Sequence, residues 1–229
     1  MPATMRPVIH REGLPIIAAF IVTTAVLWWL WVPLGIAGAL LSLWCIWFFR
    51  DPERHPPTRP GVILAPADGR LLAIVTASPP AELGMGDTPR TRISTFMNVF
   101  DVHVNRIPAD GRITGLHYRP GRFFNASFDK ASNHNERMSM RMTTASGHDL
   151  AFVQIAGLVA RRIRTKLAVG QAVTAGARFG MIRFGSRVDV YLPDGIEPLV
   201  REGEVAVAGE TILAVPGRNA ADADGGGLR

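Results

Sequence analysis

The longest pattern along the chain is a run without charge. From Leu14 to Phe49 every residue is apolar or uncharged. One upright membrane span takes about 20 residues, so this run is too long for one helix and slightly short for two full ones. Pro33, Gly35 and Gly38 stand mid-run, where a turn is cheapest. Arg6 and Arg11 precede the run, and Arg50, Arg54 and Arg59 follow it. Basic flanks mark the cytoplasmic side, so the pattern predicts a transmembrane or re-entrant helical hairpin over residues 1–49, both ends cytoplasmic. Trp28, Trp29 and Trp31 fall at its tip, and Trp44 and Trp47 at the return interface. One span followed by an interfacial helix is the alternative. A secretory signal would have a shorter apolar core and a small-residue cleavage site, whereas FFRDPERHPP follows here.

Residues 50–61 hold four prolines and read as a stiff linker. Beyond them the pattern changes to short apolar runs bounded by Gly, Pro, Asp and Asn: VILA at 62–65, RLLAIVTA at 70–77, RISTFMNVF at 92–100, LAFVQIAG at 150–157, RVDVYLP at 187–193 and TILAV at 211–215. Such spacing predicts a mainly β domain over residues 62–216, an antiparallel sandwich or barrel-like sheet. The segment GLVARRIRTKL, residues 157–167, is the one place where a short helix competes. Residues 217–229 have little to bury and read as a disordered tail.

Composition narrows the function classes. The single cysteine, Cys45, lies in the apolar run, so no intrachain disulfide is possible and nothing points to an oxidising compartment. Six scattered histidines offer no metal cluster. The net charge is +6, and only two of the 25 basic residues are lysine, Lys130 and Lys166. A basic, arginine-rich surface suits anionic headgroups or nucleic acid. No nucleic-acid-binding motif accompanies the charge, so no nucleic-acid partner is expected.

Three segments carry candidate chemistry. APADGR contains Asp68, DVHVNRIPADG contains Asp101, His103 and Arg106, and RFGSRVDVYLP contains Gly185 and Ser186. The string PADGR occurs twice, at 66–70 and 108–112, and reads as a β-turn signature; Asp110 is a turn residue on this reading. Asp, His and Ser in this order can form an acid–base–nucleophile set. The G-x-S-x-G elbow of a serine hydrolase is missing. A Gly-Ser bond in a strained turn is open to attack by its own hydroxyl, which splits the chain and can convert the serine to a pyruvoyl group.

Taken together, FFRDPER, the PADG turn, DVHVNRIP, ASNHNER at 131–137 and the Gly-Ser context resemble the phosphatidylserine decarboxylase proenzymes, in particular their short form. The likeness runs from near residue 48 to EGEVAVAGETILA. It implies self-cleavage at Gly185-Ser186 into a large chain, 1–185, and a small chain, 186–229, which remain together as a heterodimer. It also implies that Ser186 becomes a covalent pyruvoyl (pyruvate) cofactor that takes up the serine headgroup amine as a Schiff base. Phosphatidylserine would be the substrate, membrane lipid a partner, and the cell membrane the location, with the soluble domain on the cytoplasmic side. His103 would be the base for self-cleavage, with Asp68 or Asp101 orienting it and His134 as fallback. Arg122, His134, Arg137 and Arg183 are candidates for the headgroup. Longer members carry Leu-Gly-Ser-Thr and a second histidine where this chain has Phe184-Gly185-Ser186-Arg187 and Arg106. Two other readings stay open: a pyruvoyl decarboxylase of another amine-bearing substrate, and a membrane-anchored β-sandwich binding protein that does not cleave itself. VREGEVAVAGETILAV looks like the strand-turn-strand of lipoyl carriers but lacks a lysine at the turn.

Overall fold

The computed structural model describes residues 8–121, 135–157, 163–183 and 185–217. They form two compact units. The smaller joins the N-terminal region through Glu53 to the short segment Val99–Val102; the larger holds Arg54–Asn98 and the chain from His103 onward.

In the smaller unit the uncharged run forms two helices, α1 (Leu14–Leu30) and α2 (Val32–Phe48). The break falls on Trp31, which is extended at φ −164°, and Pro33 follows in the first turn of α2, where a missing N–H costs nothing. Gly35 and Gly38 therefore do not make the turn that the sequence pattern suggested. They lie inside α2 and let α1 approach: a Cβ on Gly35 would sit 2.6 Å from the Trp28 Cα, and one on Gly38 2.8 Å from Thr24 Oγ1. Thr24 Oγ1 and Ser42 Oγ hydrogen-bond at 2.9 Å in the same seam. Strands β1 (Val8–Ile9) and β2 (Arg50–Asp51) pair antiparallel and close the open end of the hairpin. Its outer surface is apolar, with Ile21, Val22, Trp29, Leu40 and Leu43 exposed. The segment Arg11–Leu30 is long and apolar enough to cross a membrane; Val32–Phe48 is equally apolar but shorter.

The larger unit is mainly β. In chain order its strands are β3 (Ile63–Leu64), β4 (Gly69–Ala77), β5 (Arg90–Met97), β6 (Val104–Arg106), β7 (Gly111–Arg119), β8 (Arg137–Thr144) and β9 (Asp149–Ile155), then β10 (Ile163–Thr165), β11 (Ala172–Val173), β12 (Arg178–Ile182), β13 (Ser186–Tyr191), β14 (Val205–Ala206) and β15 (Ile212–Ala214). Eight of them make one curled antiparallel sheet, a half-barrel, in the order β11-β7-β8-β9-β13-β5-β4-β14. A three-stranded sheet, β10-β12-β6, packs on one face of it: Ile107 and Phe179 share a core with Phe152, Met140 and Val190, and the Phe152 and Phe179 rings meet edge-on at 5.2 Å. Residues 158–162 of the ambiguous GLVARRIRTKL segment lie outside the described residues, and Ile163–Thr165 is strand rather than helix. The tail beyond Gly217 also lies outside them.

The register sorts the side chains of β13. Ser186 stands opposite Met97, Val188 opposite Thr95 and Gln154, and Arg187 opposite Phe96 and Ile155. Alternation along a strand puts Ser186, Val188 and Val190 on the core face and Arg187, Asp189 and Tyr191 on the other. That second face is also covered: Leu83, from the short 3-10 turn Ala81–Leu83, packs with Ala151, Val153, Ile155 and Tyr191. It buries Arg187 and Asp189 as a two-point ion pair, with Arg187 Nη2 donating to Asp189 Oδ2 at 2.8 Å. Pairing is what makes two buried charges tolerable.

Candidate active site

Ser186 is the first residue of β13 and is fully buried. Gly185, just before it, has φ +63°, the left-handed region that suits glycine. A Cβ there would meet nothing within 4 Å, so conformation rather than space calls for glycine at this position. The Gly185 N–H donates to His103 Nε2 at 3.3 Å. That nitrogen is thus the unprotonated one of the ring, and it holds the turn from which Ser186 emerges. His103 is fully buried, one residue before β6.

The hydroxyl of Ser186 is only weakly engaged. Its partner among the described residues is Met97 Sδ at 3.9 Å, and a thioether is a poor acceptor. Met97 also accepts from Asn105 Nδ2 at 3.5 Å, and Gln154 Nε2 donates to Asn105 Oδ1 at 2.7 Å. Asn105 and Gln154 are both fully buried. Gln154 Oε1, on the Ser186 face, has no hydrogen-bond partner among the described residues. Sequence reasoning missed these three residues. Asn105 stands two positions from His103, an alternation that could have flagged it; Met97 and Gln154 are reached only through strand pairing.

Asp68 lies in the turn before β4. Its Oδ2 pairs with Arg54 at 2.6 Å, and its Oδ1 accepts the Ala208 N–H at 2.8 Å. The turn adjoins the serine site: Ala67 packs with Met97, Val188 and Ile182, and a Cβ on Gly69 would lie 2.0 Å from the Phe96 carbonyl oxygen. One strand, β5, separates β4 from β13, so Asp68 and Ser186 lie about two strand spacings apart, roughly 10 Å. Any influence of Asp68 on Ser186 has to pass through an intermediate group. Asp101 belongs to the Val99–Val102 segment of the smaller unit. Arg106 is buried, and its Nη1 donates to the Gly176 carbonyl at 2.9 Å.

The headgroup candidates separate. Arg122 and His134 lie outside the described residues. Arg183 is half-buried, two residues before Gly185. Arg137 is buried and stands opposite Ile155, which stands opposite Arg187; it therefore shares the Arg187 face rather than the Ser186 face. Both carboxylate oxygens of Glu82 take its guanidinium at 2.9 Å, and Ser139 Oγ donates to Glu82 Oε1 at 2.9 Å. Burial pushes the Glu82 carboxyl up, but its own backbone bond, the Ser139 hydroxyl and the Arg137 guanidinium outweigh it and hold the group below the ordinary glutamate range.

Residues 41–214 match the family model for phosphatidylserine decarboxylase. The chain belongs to the phosphatidylserine decarboxylase family. It is 60% identical over 206 residues to a phosphatidylserine decarboxylase proenzyme of Paramagnetospirillum magneticum, covering 90% of this chain and 86% of that protein. It is 55% identical over 214 residues to the proenzyme of Cereibacter sphaeroides, covering 93% and 92%. Membership of this family makes the chain an enzyme, a decarboxylase. The matched span starts inside α2 and takes in His103, Asp68, Gly185 and Ser186, together with the Met97, Asn105 and Gln154 network.

Proposed function

We propose that this chain converts phosphatidylserine to phosphatidylethanolamine with a pyruvoyl group made from its own Ser186. The observation that carries the reading is the hydrogen bond from the Gly185 N–H to His103 Nε2, beside a buried serine that follows a left-handed glycine. His103 takes the Ser186 hydroxyl proton as general base, and Oγ attacks the Gly185 carbonyl. The Ser186 nitrogen leaves as an amine and an ester forms. Loss of the Ser186 Cα proton then breaks the Cβ–O bond. Gly185 departs as a carboxylate, and the dehydroalanine at 186 takes up one water and releases ammonia. Asp68, fixed in the neighbouring turn, orients His103 or supports its charge.

Once formed, the pyruvoyl group supplies an electron sink for loss of CO₂ from a bound amino acid. Gln154 Oε1 offers that amine an acceptor, and Asn105 holds the Gln154 amide in place. The cut leaves the small chain held by the six-residue ladder of β13 with β5 and by its pairs with β9, which supports a heterodimer of large and small chains. The apolar hairpin supports a location in the cell membrane, with the larger unit on the cytoplasmic side, where a headgroup reaches the site while its acyl chains stay in the bilayer.

Intact mass under denaturing conditions tests the reading. Two chains are expected, one ending at Gly185 and one starting with a blocked residue 186; a single full-length chain would overturn self-cleavage. Ser186→Ala should stay whole. His103→Ala should slow cleavage by about 100-fold or more, the usual worth of a positioned base; cleavage at the normal rate would remove His103 from that role. The cleaved protein should release CO₂ from phosphatidylserine vesicles and not from free serine. The opposite preference would favour a soluble amine substrate.

A further inference from the structure

The smaller unit contains one piece of chain that is remote from the hairpin in sequence, the segment Val99–Val102. Arg50, at the closed base of the hairpin, ties it there. The Arg50 guanidinium stacks over the Trp47 ring at 4.3 Å, Nη1 donates to the Trp47 carbonyl at 2.9 Å, and Nη2 donates to the Phe100 carbonyl at 2.7 Å. The side chains at the tip of the segment point outward: Phe100 is 63% exposed and Val99 38%. Beside them Ile9, Leu43, Ile46, Trp47 and Arg50 line an apolar groove of about 400 Å³. Trp and Arg at the end of an apolar helix are the pair that settles at a bilayer's headgroup level.

We infer that Val99 and Phe100 form a membrane wedge, a third contact with the bilayer besides the two helices, seated at the headgroup–acyl boundary of anionic phospholipid. The groove beside the wedge is continuous with the apolar outer surface of α2, and the arginine at its rim complements a phosphate-bearing surface. The occupant is therefore a lipid surface rather than a protein segment. Three residues after Phe100 the chain arrives at His103. The inference rests on the membrane location proposed above.

Site-directed spin labelling of the full chain tests it, in vesicles of phosphatidylcholine with phosphatidylserine and in a Cys45→Ala background. Labels are placed singly through Phe100→Cys, Leu40→Cys on the exposed side of α2, and Val169→Cys in an exposed turn of the larger unit. The ratio of oxygen to nickel-chelate accessibility at position 100 should be several-fold above that at 169 and shifted toward that at 40. A water-like ratio at 100 with a lipid-like ratio at 40 would overturn the wedge and leave the hairpin in the membrane. Water-like ratios at both would overturn the membrane location as well. Low accessibility of 100 to both reagents would mark a protein contact and also overturn the wedge.

Discussion

The two PADGR turns make matching hydrogen bonds from the same five residues, yet only one adjoins the serine. In each, the aspartate caps a remote amide: Asp68 Oδ1 accepts from Ala208, and Asp110 Oδ1 from Ala175, both at 2.8 Å. Each proline carbonyl accepts from the strand that leads into the other copy, Pro66 from Arg106 and Pro108 from Leu64. Each glycine passes under a carbonyl of the neighbouring strand, Gly69 under Phe96 and Gly111 under Thr143. The difference lies in what surrounds them. Gly69 runs beside β5 at Met97, the partner of Ser186, and Asp68 carries Arg54 on its second oxygen. Gly111 runs beside the end of β8. The motif is a turn in both places, and the chemistry proposed for Asp68 would attach to one copy through its position in the sheet.

Substitution of the glycines should perturb the two turns most. A Cβ would lie 2.0 Å from a carbonyl oxygen at Gly69 and 2.2 Å at Gly111, and at Gly69 the φ of +140° adds backbone strain. In a Ser186→Ala precursor, expected to stay one chain, each Gly→Ala should lower unfolding free energy by roughly 3 kcal/mol or more, as overpacking against backbone does, with Gly69 the larger. With Ser186 intact, only Gly69→Ala should strongly slow the proposed self-cleavage, because Phe96 and Met97 must move. Denaturant titration and a cleavage time course check both. Equal slowing by Gly111→Ala would mean that the two turns are equally coupled to the serine.

The aspartates probe function with less damage. Asparagine keeps an oxygen for the capped amide, so Asp68→Asn and Asp110→Asn should each cost no more than about 1 kcal/mol. Asp68→Asn removes the negative charge beside the serine site and should slow self-cleavage by one to two orders of magnitude, on the scale of acid–base support. Asp110→Asn should cleave at the normal rate. Equal rates for the two variants would leave Asp68 a turn residue like its twin.

Much of this was legible in the chain. An uncharged run with basic flanks forecast a hairpin, and apolar runs between turn residues forecast a mainly β unit, because both follow from periodicity. The PADGR repeat announced two turns, and Gly185-Ser186 the candidate cleavage point. The turn of the hairpin was misplaced because glycine signals close approach as readily as chain reversal, and Gly35 and Gly38 serve the first. Strand β8 went unread: RMSMRMTT alternates Met with Ser, Arg and Thr, and on its second covered face Arg137 and Ser139 are buried while Arg141 and Thr143 are half-buried. The Met97–Asn105–Gln154 network depends on which strands become neighbours, and Arg137 faces away from Ser186 through strand parity. Neither is visible before the register is known.

The second turn is also tied to a partly exposed ion pair on β8. Thr143, whose carbonyl covers Gly111, donates its hydroxyl to Asp149 Oδ1 at 3.1 Å, and Asp149 Oδ2 pairs with Arg141 at 2.5 Å. Burial pushes the Asp149 carboxyl up, but Arg141 and Thr143, with the charge of Arg90, hold it below the ordinary aspartate range. A carboxylate depressed in the folded state stabilises fully above its unfolded value near 3.9, and that contribution fades as pH falls through the lower folded value. The pair is about 30% exposed on each side, so its worth is held to about 1 kcal/mol or less by solvent screening. In the Ser186→Ala precursor, Asp149→Asn should therefore lower urea stability slightly at pH 7, and the gap should close below about pH 4. No such variable is attached to the first turn through Thr143, so a Gly69→Ala precursor should lose the same small increment on adding Asp149→Asn. In a Gly111→Ala precursor the Thr143 strand is already displaced, and the increment should shrink. Equal increments in the two backgrounds would show that Asp149 steadies β8 without reaching the second turn.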